Sequence, residues 1–515
     1  MKETFNNNDN TIHTTKSIDF QPSPHIIQKP CFHWPVIRTY LKTRFTGLWV
    51  GKEEFSKNTW NDIFNPFQQL VHLNKHHWNF FLLGFFAWAW DAFDYFTTAL
   101  NISNIAESLD VSIKQVSWGL TLVLMLRTIG AIIFGAMGDM RGRKWPYIIN
   151  LGLLIIIQIG TGFVKTYAQF LGTRATFGVA MGGLYGICAA EALSDAPTAA
   201  RGVLSGIFQQ GYAFGFLLAT ICQRALTYTT PHGWRSLFWF SAGPPVLLII
   251  WRLFTPETDS YQRIKERFEA GALEKNSKAK EFKAQAKVAL KHYWLVIIFM
   301  VFMMSGFNFS AHGSQDLYPT LLEKQYHFGE DRRTVILVCA KLGAIVGGLI
   351  IGHVSSVVGR RSAILIANLF TIALTYPWAY KPMWATAFFM QFGVQGAWGV
   401  VPSHLSELSP PQFRAFVTGV SYQLGNLASS ATSTIQATLS EKFPIDAEDE
   451  VYDYSKTLTL FVLAVQVFIM IVVFFGPENR NADLNAESES VYATEEDSAD
   501  DKSKESDLKN ASDRV

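Results

Sequence analysis

The sequence predicts an all-α membrane protein whose twelve transmembrane helices form two six-helix bundles. Three observations lead there. Apolar residues fall in blocks of about twenty, the length an α-helix needs to cross a hydrocarbon layer of roughly 30 Å, while charges gather between the blocks. The blocks form two sets of six, separated by the charged stretch "PETDSYQRIKERFEAGALEKNSKAKEFKAQAKVALKHYW". Short motifs closing blocks two and four also recur after blocks eight and ten. The net charge of +2 offers no footprint for nucleic acid. Cys31, Cys188, Cys222 and Cys339 show neither metal-ligand spacing nor a disulfide framework, and nothing points to a cofactor.

In chain order, residues 1–77 read as a polar cytoplasmic tail, without the apolar core and cleavage site of a signal peptide. Residues 78–255 hold the first bundle, with spans near 78–100, 116–138, 145–164, 168–190, 202–223 and 234–254. Residues 256–292 form the connector. Residues 293–476 hold the second bundle, with spans near 293–322, 333–354, 363–379, 383–403, 415–437 and 457–476. Residues 477–515 are acidic and Ser-rich, a composition that stays disordered. Lysines and arginines of the connector mark it as cytoplasmic. Arg141, Arg143, Lys144, Arg201, Arg360, Arg361 and Arg414 fall on the same side if both termini are inside. Arg332 and Arg333 fall opposite, offset by Glu330 and Asp331. Membrane lipid then surrounds the bundles. Trafficking or ubiquitylation machinery is a candidate partner of the tails, although no residue pattern specifies it.

The repeat carries the first functional signal. "GAMGDMRGRK" (135–144) and "GHVSSVVGRR" (352–361) each start on Gly, return to Gly seven residues later and end on two basic residues. "EALSDAPTAARG" (191–202) and "ELSPPQFRAFVTG" (407–419) each run acid, Ser, Pro, then Arg. Such residues suit a gate, in which Asp139 pairs with neighbouring basic loops, Glu191 with Arg143, and Glu407 with Arg361. Ion pairs of this kind bias an equilibrium between two packings. The plainer reading is topogenic charge at helix ends, which a repeated pattern disfavours. These motifs resemble the loop motif G-x-x-x-D-x-x-G-R-K/R of the major facilitator superfamily, over nearly all of residues 78–476. The resemblance implies two bundles rocking about a midplane site. Ser356 departs from it by standing where an acid is expected, so the gate should lean on Asp139.

Ionisable residues within spans are costly and so are functional candidates. Arg127, in "GLTLVLMLRTIGAIIFG", lies about 18 Å along a helix from Asp139, near the midplane. Its planar, permanently charged fork suits a carboxylate. An ion pair with Asp91 or Asp94 is the alternative. Those two acids share one face of span one; one is a candidate proton carrier, and we assign that part to Asp94. Arg174, in "RATFGVAMGG", reads as a coupling or structural residue.

The stretch "NFSAHGSQDLYPT" (308–320) places Asn308, His312, Asp316 and Thr320 at four-residue steps, flanked by Gln315. On a helix starting at Tyr293, Asn308 lies about 22 Å along and Asp316 about 35 Å. His312 titrates nearest physiological pH, and Asp316 one turn away favours its protonated form. The plainer reading is a polar helix end outside the membrane. This stretch resembles the signature N-x-x-S/T-H-x-S/T-Q-D-x-x-x-T of the Jen family of fungal carboxylate–proton symporters, with Ala311 departing from it. The resemblance implies proton coupling and substrate recognition at His312 and Asp316, with hydrogen bonds from Asn308 and Gln315. It also draws attention to Gln423 and Asn426, which share a helical face in span eleven. It implies plasma-membrane import of short carboxylates together with a proton. Gln209, beside Gln210 in span five, inclines the choice toward dicarboxylates such as malate and succinate over lactate and pyruvate. Rival readings are a carrier of another organic anion such as sialate, or a transporter-like nutrient receptor. No nucleophile–base constellation, phosphate loop or metal cluster points to an enzyme.

Overall fold

The computed structural model describes residues 33–48, 65–71, 73–227, 229–259, 261–262, 265, 278–410, 413–446 and 451–480. The acidic tail from residue 481, the middle of the connector and much of the N-terminal tail lie outside these residues. The spans in the first half are Lys75–Leu100, Ile113–Arg141, Lys144–Gly162, Tyr167–Ser194, Thr198–Gln209 continued by Gly211–Leu226, and Trp234–Ser241 continued by Gly243–Phe254. Those in the second half are Lys278–Gln315, Glu330–Val358, Arg360–Tyr380, Trp384–Leu408, Arg414–Ser429 continued by Thr432–Ser440, and Tyr454–Phe475.

Local chemistry sets several starts. Asn74 accepts the His77 amide hydrogen at 2.8 Å and opens span one, Ser112 and Gln115 form a reciprocal box before span two, and Asp453 accepts from Lys456 at 2.9 Å before span twelve. Each satisfies backbone donors that the first helical turn leaves over.

Eight helices among the described residues are long and apolar enough to cross a membrane. Spans one, five, ten and eleven fall short of that measure. Two of these, spans five and eleven, occupy matching places in the two halves, and both are broken, at Gln210 and at Ser430–Ala431. Interrupted helices at matching positions are how transporter bundles expose polar groups at the midplane. Span seven also departs from expectation. The α-helix stops at Gln315, and a short turn, Tyr318–Thr320, resumes after Asp316–Leu317. Pro319 contributes to the break, because it has no amide hydrogen to offer the Gln315 carbonyl four residues back.

The halves repeat in their packing. Span two runs along span four, and span eight along span ten. Across the divide, span two meets span eleven and span five meets span eight. Residues Trp34–Thr46, expected as part of a solvated tail, instead form a helix against the end of span twelve. There Tyr40 donates to the Phe475 carbonyl and Arg44 to that of Gly476.

The glycines after spans two and eight have a backbone reason. Gly142 has φ +90° and Gly359 φ +106°, with ψ of 165° and 148°, a region almost closed to other residues. A Cβ on Gly359 would also lie 3.0 Å from Glu478 Oε1. Gly359→Ala should therefore cost about 1–3 kcal/mol, read as a lower melting temperature of the purified protein; an unchanged value would reject the strain.

Candidate functional site

Arg127 reaches its place because span four offers glycine opposite it: a Cβ on Gly182 would strike the Arg127 backbone. The side chain is only 2% exposed. Its guanidinium lies 5.0 Å from the Tyr95 ring centroid, and Nη2 donates to the Met181 thioether at 2.7 Å. A thioether is a weak acceptor, and Nε has no partner among the described residues. No carboxylate of those residues comes within ion-pair distance of Arg127, so the alternative of a direct pair with Asp91 or Asp94 is not formed. Asp91 is buried nearby, senses the Arg127 charge, and has both oxygens without a hydrogen-bond partner among the described residues.

Asp94 is placed elsewhere. It neighbours Gln158, Ser241 and Arg174, and Arg174 in turn donates to Thr98, Gln158 and Thr161 at 2.7–3.0 Å. This network knits spans one, three, four and six of the first half. Asp94 is not brought to His312. The two acids of "WAWDAFDYF" are thus divided between the neighbourhood of Arg127 and the Arg174 network.

On span seven, His312 Nδ1 stands 3.3 Å from the Asp316 carboxylate. Ser433, just beyond the break in span eleven, donates to Asp316 Oδ2 at 2.6 Å. His312 lies within electrostatic reach of Arg127 and Lys341, and Tyr95 within reach of Arg127 and Asp316, so these groups are neighbours across the two halves. Gln315 accepts from Lys341 Nζ at 2.5 Å. Asn308 is buried, and its Nδ2 donates to the Met304 carbonyl of its own helix at 2.9 Å.

Gln423 and Asn426 share a face and bond to each other at 3.0 Å; Gln423 Nε2 also approaches the Gly182 carbonyl at 3.5 Å across the halves. Gln209 neighbours the Tyr422 hydroxyl. Tyr422 stacks on Tyr185 with centroids 3.8 Å apart and meets Trp398 and Trp88 edge-on. Four aromatic rings from spans one, four, ten and eleven thereby meet between the halves.

The gate pairs differently from expectation. Asp139 accepts the amide hydrogens of Ala415 at 3.2 Å and Phe416 at 2.8 Å, so it caps the first turn of span eleven across the halves, where the helix dipole also favours an anion. Glu191 pairs with Arg252 at 2.5 Å inside the first half, not with Arg143. Arg143 instead donates to the Ala190 carbonyl and the Ser194 hydroxyl. Glu407 takes Arg360 in a fork at 3.1 and 2.9 Å, with Arg201 of the first half at 3.6 Å, and does not pair with Arg361.

The reason lies in the turns. Counted from the positive-φ glycines, Arg360 is the counterpart of Arg143, and Arg361 that of Lys144. Lys144 donates to the Leu253 and Thr255 carbonyls at the end of span six. Arg361 donates to those of Val473 and Phe474 at the end of span twelve. Both second basic residues thus cap helix ends.

A matching pair of acids went unnoticed in the sequence. Glu257 accepts the Lys144 amide hydrogen at 3.1 Å, and Glu478 that of Arg360 at 2.6 Å. The signal was present as Pro256-Glu257 and Pro477-Glu478, one after each half. Burial pushes the Glu478 carboxyl above the usual glutamate range, against the pull of the Arg360 amide, Arg361 and Arg480.

Lys341 was also missed, although a lone lysine in "ILVCAKLGAIVGG" is a plain signal. Another group lies apart: His76 stands 3.3 Å from Asp195 and 3.4 Å from Asp259. The three donor atoms lie within 4.8 Å of one another, but their segments are separate, so no ligand spacing announced them.

Comparison with known proteins fits this architecture. Residues 76–489 match the "Sugar (and other) transporter" family. The chain is 40% identical over 476 residues to the Saccharomyces cerevisiae "Carboxylic acid transporter protein homolog", covering 89% of this chain and 76% of that protein. It is 24% identical to the Acinetobacter baylyi cis,cis-muconate transport protein, over 71% of this chain and 89% of that protein. The fold superposes on the proton:xylose symporter XylE with a TM-score of 0.62 at 16% identity, covering 80% of this chain and 98% of that one. The chain belongs to the sugar (and other) transporter family, as a Jen-like member of the major facilitator superfamily, and is a multi-pass membrane transporter rather than an enzyme.

Proposed function

We propose that this protein is a proton-coupled symporter importing short carboxylates across the plasma membrane by alternating access, with malate and succinate preferred over lactate and pyruvate. One observation carries the reading: Arg127 is a buried guanidinium whose fork meets a thioether and a ring, with no carboxylate of the described residues at ion-pair distance. A buried cation of this kind is stabilised by an anion that supplies what the protein does not. The yeast relative's description as a carboxylic acid transporter homologue supports the same substrate class.

In this reading the basic turns face the cytoplasm and their contacts close that side. A carboxylate enters from the opposite side and engages Arg127. His312 and Asp316 take up the proton, since imidazole exchanges it near physiological pH and its carboxylate neighbour stabilises the charged form. Asp91, near Arg127, is the span-one acid better placed to carry a proton as the anionic substrate binds, while Asp94 holds the Arg174 network.

The test is uptake of labelled succinate and lactate into proteoliposomes across a pH range, each with the other as competitor. His312→Ala or Asp316→Ala should abolish the acid-stimulated component, with reconstituted protein unchanged in amount. Full proton-driven uptake in both variants would reject the pair as the coupling site.

A further inference from the structure

We propose that Lys341 is a second carboxylate-binding group, which with Arg127 lets the site grip a dicarboxylate at both ends; this rests on the carboxylate-symporter reading above. Lys341 is a half-buried cation inside span eight. Its Nζ donates to Gln315 Oε1 at 2.5 Å and lies 5.2 Å from the Phe216 ring centroid. Its charge is answered by an amide oxygen, a ring and, beyond ion-pair distance, Asp316, which His312 and Ser433 already engage. Among the described residues no carboxylate stands within ion-pair distance of it. Holding spans seven and eight together needs one hydrogen bond, which a neutral side chain could make without the cost of a charge in the membrane. An ammonium has three donors, so an anion can be bound without releasing Gln315.

The geometry relates this cation to Arg127. The Arg127 guanidinium lies over Tyr95 at 5.0 Å. Tyr95 meets Phe96 edge-on at 5.3 Å, and Phe96 meets Phe216 edge-on at 4.8 Å. Lys341 lies over Phe216. The two cations therefore flank one aromatic wall built from spans one and five, come from different halves of the molecule, and both lie within electrostatic reach of His312. A monocarboxylate neutralises one end. A dicarboxylate lying along the wall neutralises both and bridges the halves, which links occupancy to their approach.

The experiment compares binding of succinate with that of monomethyl succinate and butyrate, as competitors of labelled succinate in proteoliposomes. In the unmodified protein, loss of one carboxylate should weaken competition by about tenfold or more, the worth of a charge-assisted hydrogen bond. In Lys341→Gln the ratio of succinate to monomethyl succinate affinity should fall toward one, and Lys341→Arg should keep most of it. Because each ratio is taken within one preparation, changes in folding or yield cancel. A ratio near one in the unmodified protein overturns the proposal without any variant. So does an undiminished ratio in Lys341→Gln. Uptake of neither succinate nor lactate by the unmodified protein would instead sink the symporter reading itself.

Discussion

Arg127→Lys should reduce carboxylate affinity by roughly 10- to 100-fold, the loss of one charge-assisted hydrogen bond from a forked pair. The charge survives in this variant, so the loss measures geometry. Guanidinium offers two parallel donors to a carboxylate, whereas ammonium is a point charge on a flexible stem. Here Nη2 already leans on Met181 and the plane lies over Tyr95, which fixes the fork before substrate arrives. A lysine would keep neither the plane nor the second donor. Substrate competition curves in proteoliposomes check this. If affinity stayed unaltered while the protein remained folded, Arg127 would leave the binding site and become a structural cation.

What the sequence disclosed, and what it withheld, follows from the range of each interaction. Span positions were legible because apolar blocks of helical length are a local property, and the gate motifs were legible because each occurs twice. The break after Gln315 was written in Pro319, yet a four-residue periodicity carried the helix past it. The Glu407 pairing was misjudged by one residue. Arg360 and Arg361 look interchangeable in sequence, and only the turn at Gly359 decides which one faces Glu407 and which caps span twelve. Asp91 and Asp94 share a helical face, but tertiary neighbours separate them: Arg127 lies by one and Arg174 by the other. Lys341 stands alone among apolar residues, with no repeated motif or polar stretch beside it to mark its place, although a single lysine in a span is the rarer event.

Glu407→Gln is expected to be the largest change at the gate, because it removes the anion shared by two buried arginines. Glu407 is 1% exposed and meets Arg360 through both oxygens and Arg201 through one. Breaking a buried pair by removing one partner costs about 3–5 kcal/mol, since a charge is left uncompensated. Loss of a helix cap, as in Asp139→Ala, costs about 0.5–2 kcal/mol. The second half thus compensates for Ser356 with an ionic cluster that outweighs the cap in the first.

The two arginines divide the effect. Arg360 and Glu407 lie in the same half and remain paired in any rocking of the bundles, so their contact supports the fold in every state. Arg201 lies across the divide, and its contact exists only where the halves meet. Arg201→Gln should therefore loosen the gate with little loss of stability, whereas Glu407→Gln should do both. Ser205 reports the difference, because its hydroxyl donates to the Gly399 carbonyl and accepts from the Ser403 amide across the same divide. With the native cysteines replaced by serine, a cysteine at position 205 should resist a membrane-impermeant thiol reagent applied from the side of the basic turns. It should become reactive in both gate variants. The melting temperature should fall in Glu407→Gln alone. Equal melting temperatures with unaltered labelling would mean that the cluster is a local fastening of helix ends, and that the aromatic group around Tyr422 holds the halves together without it.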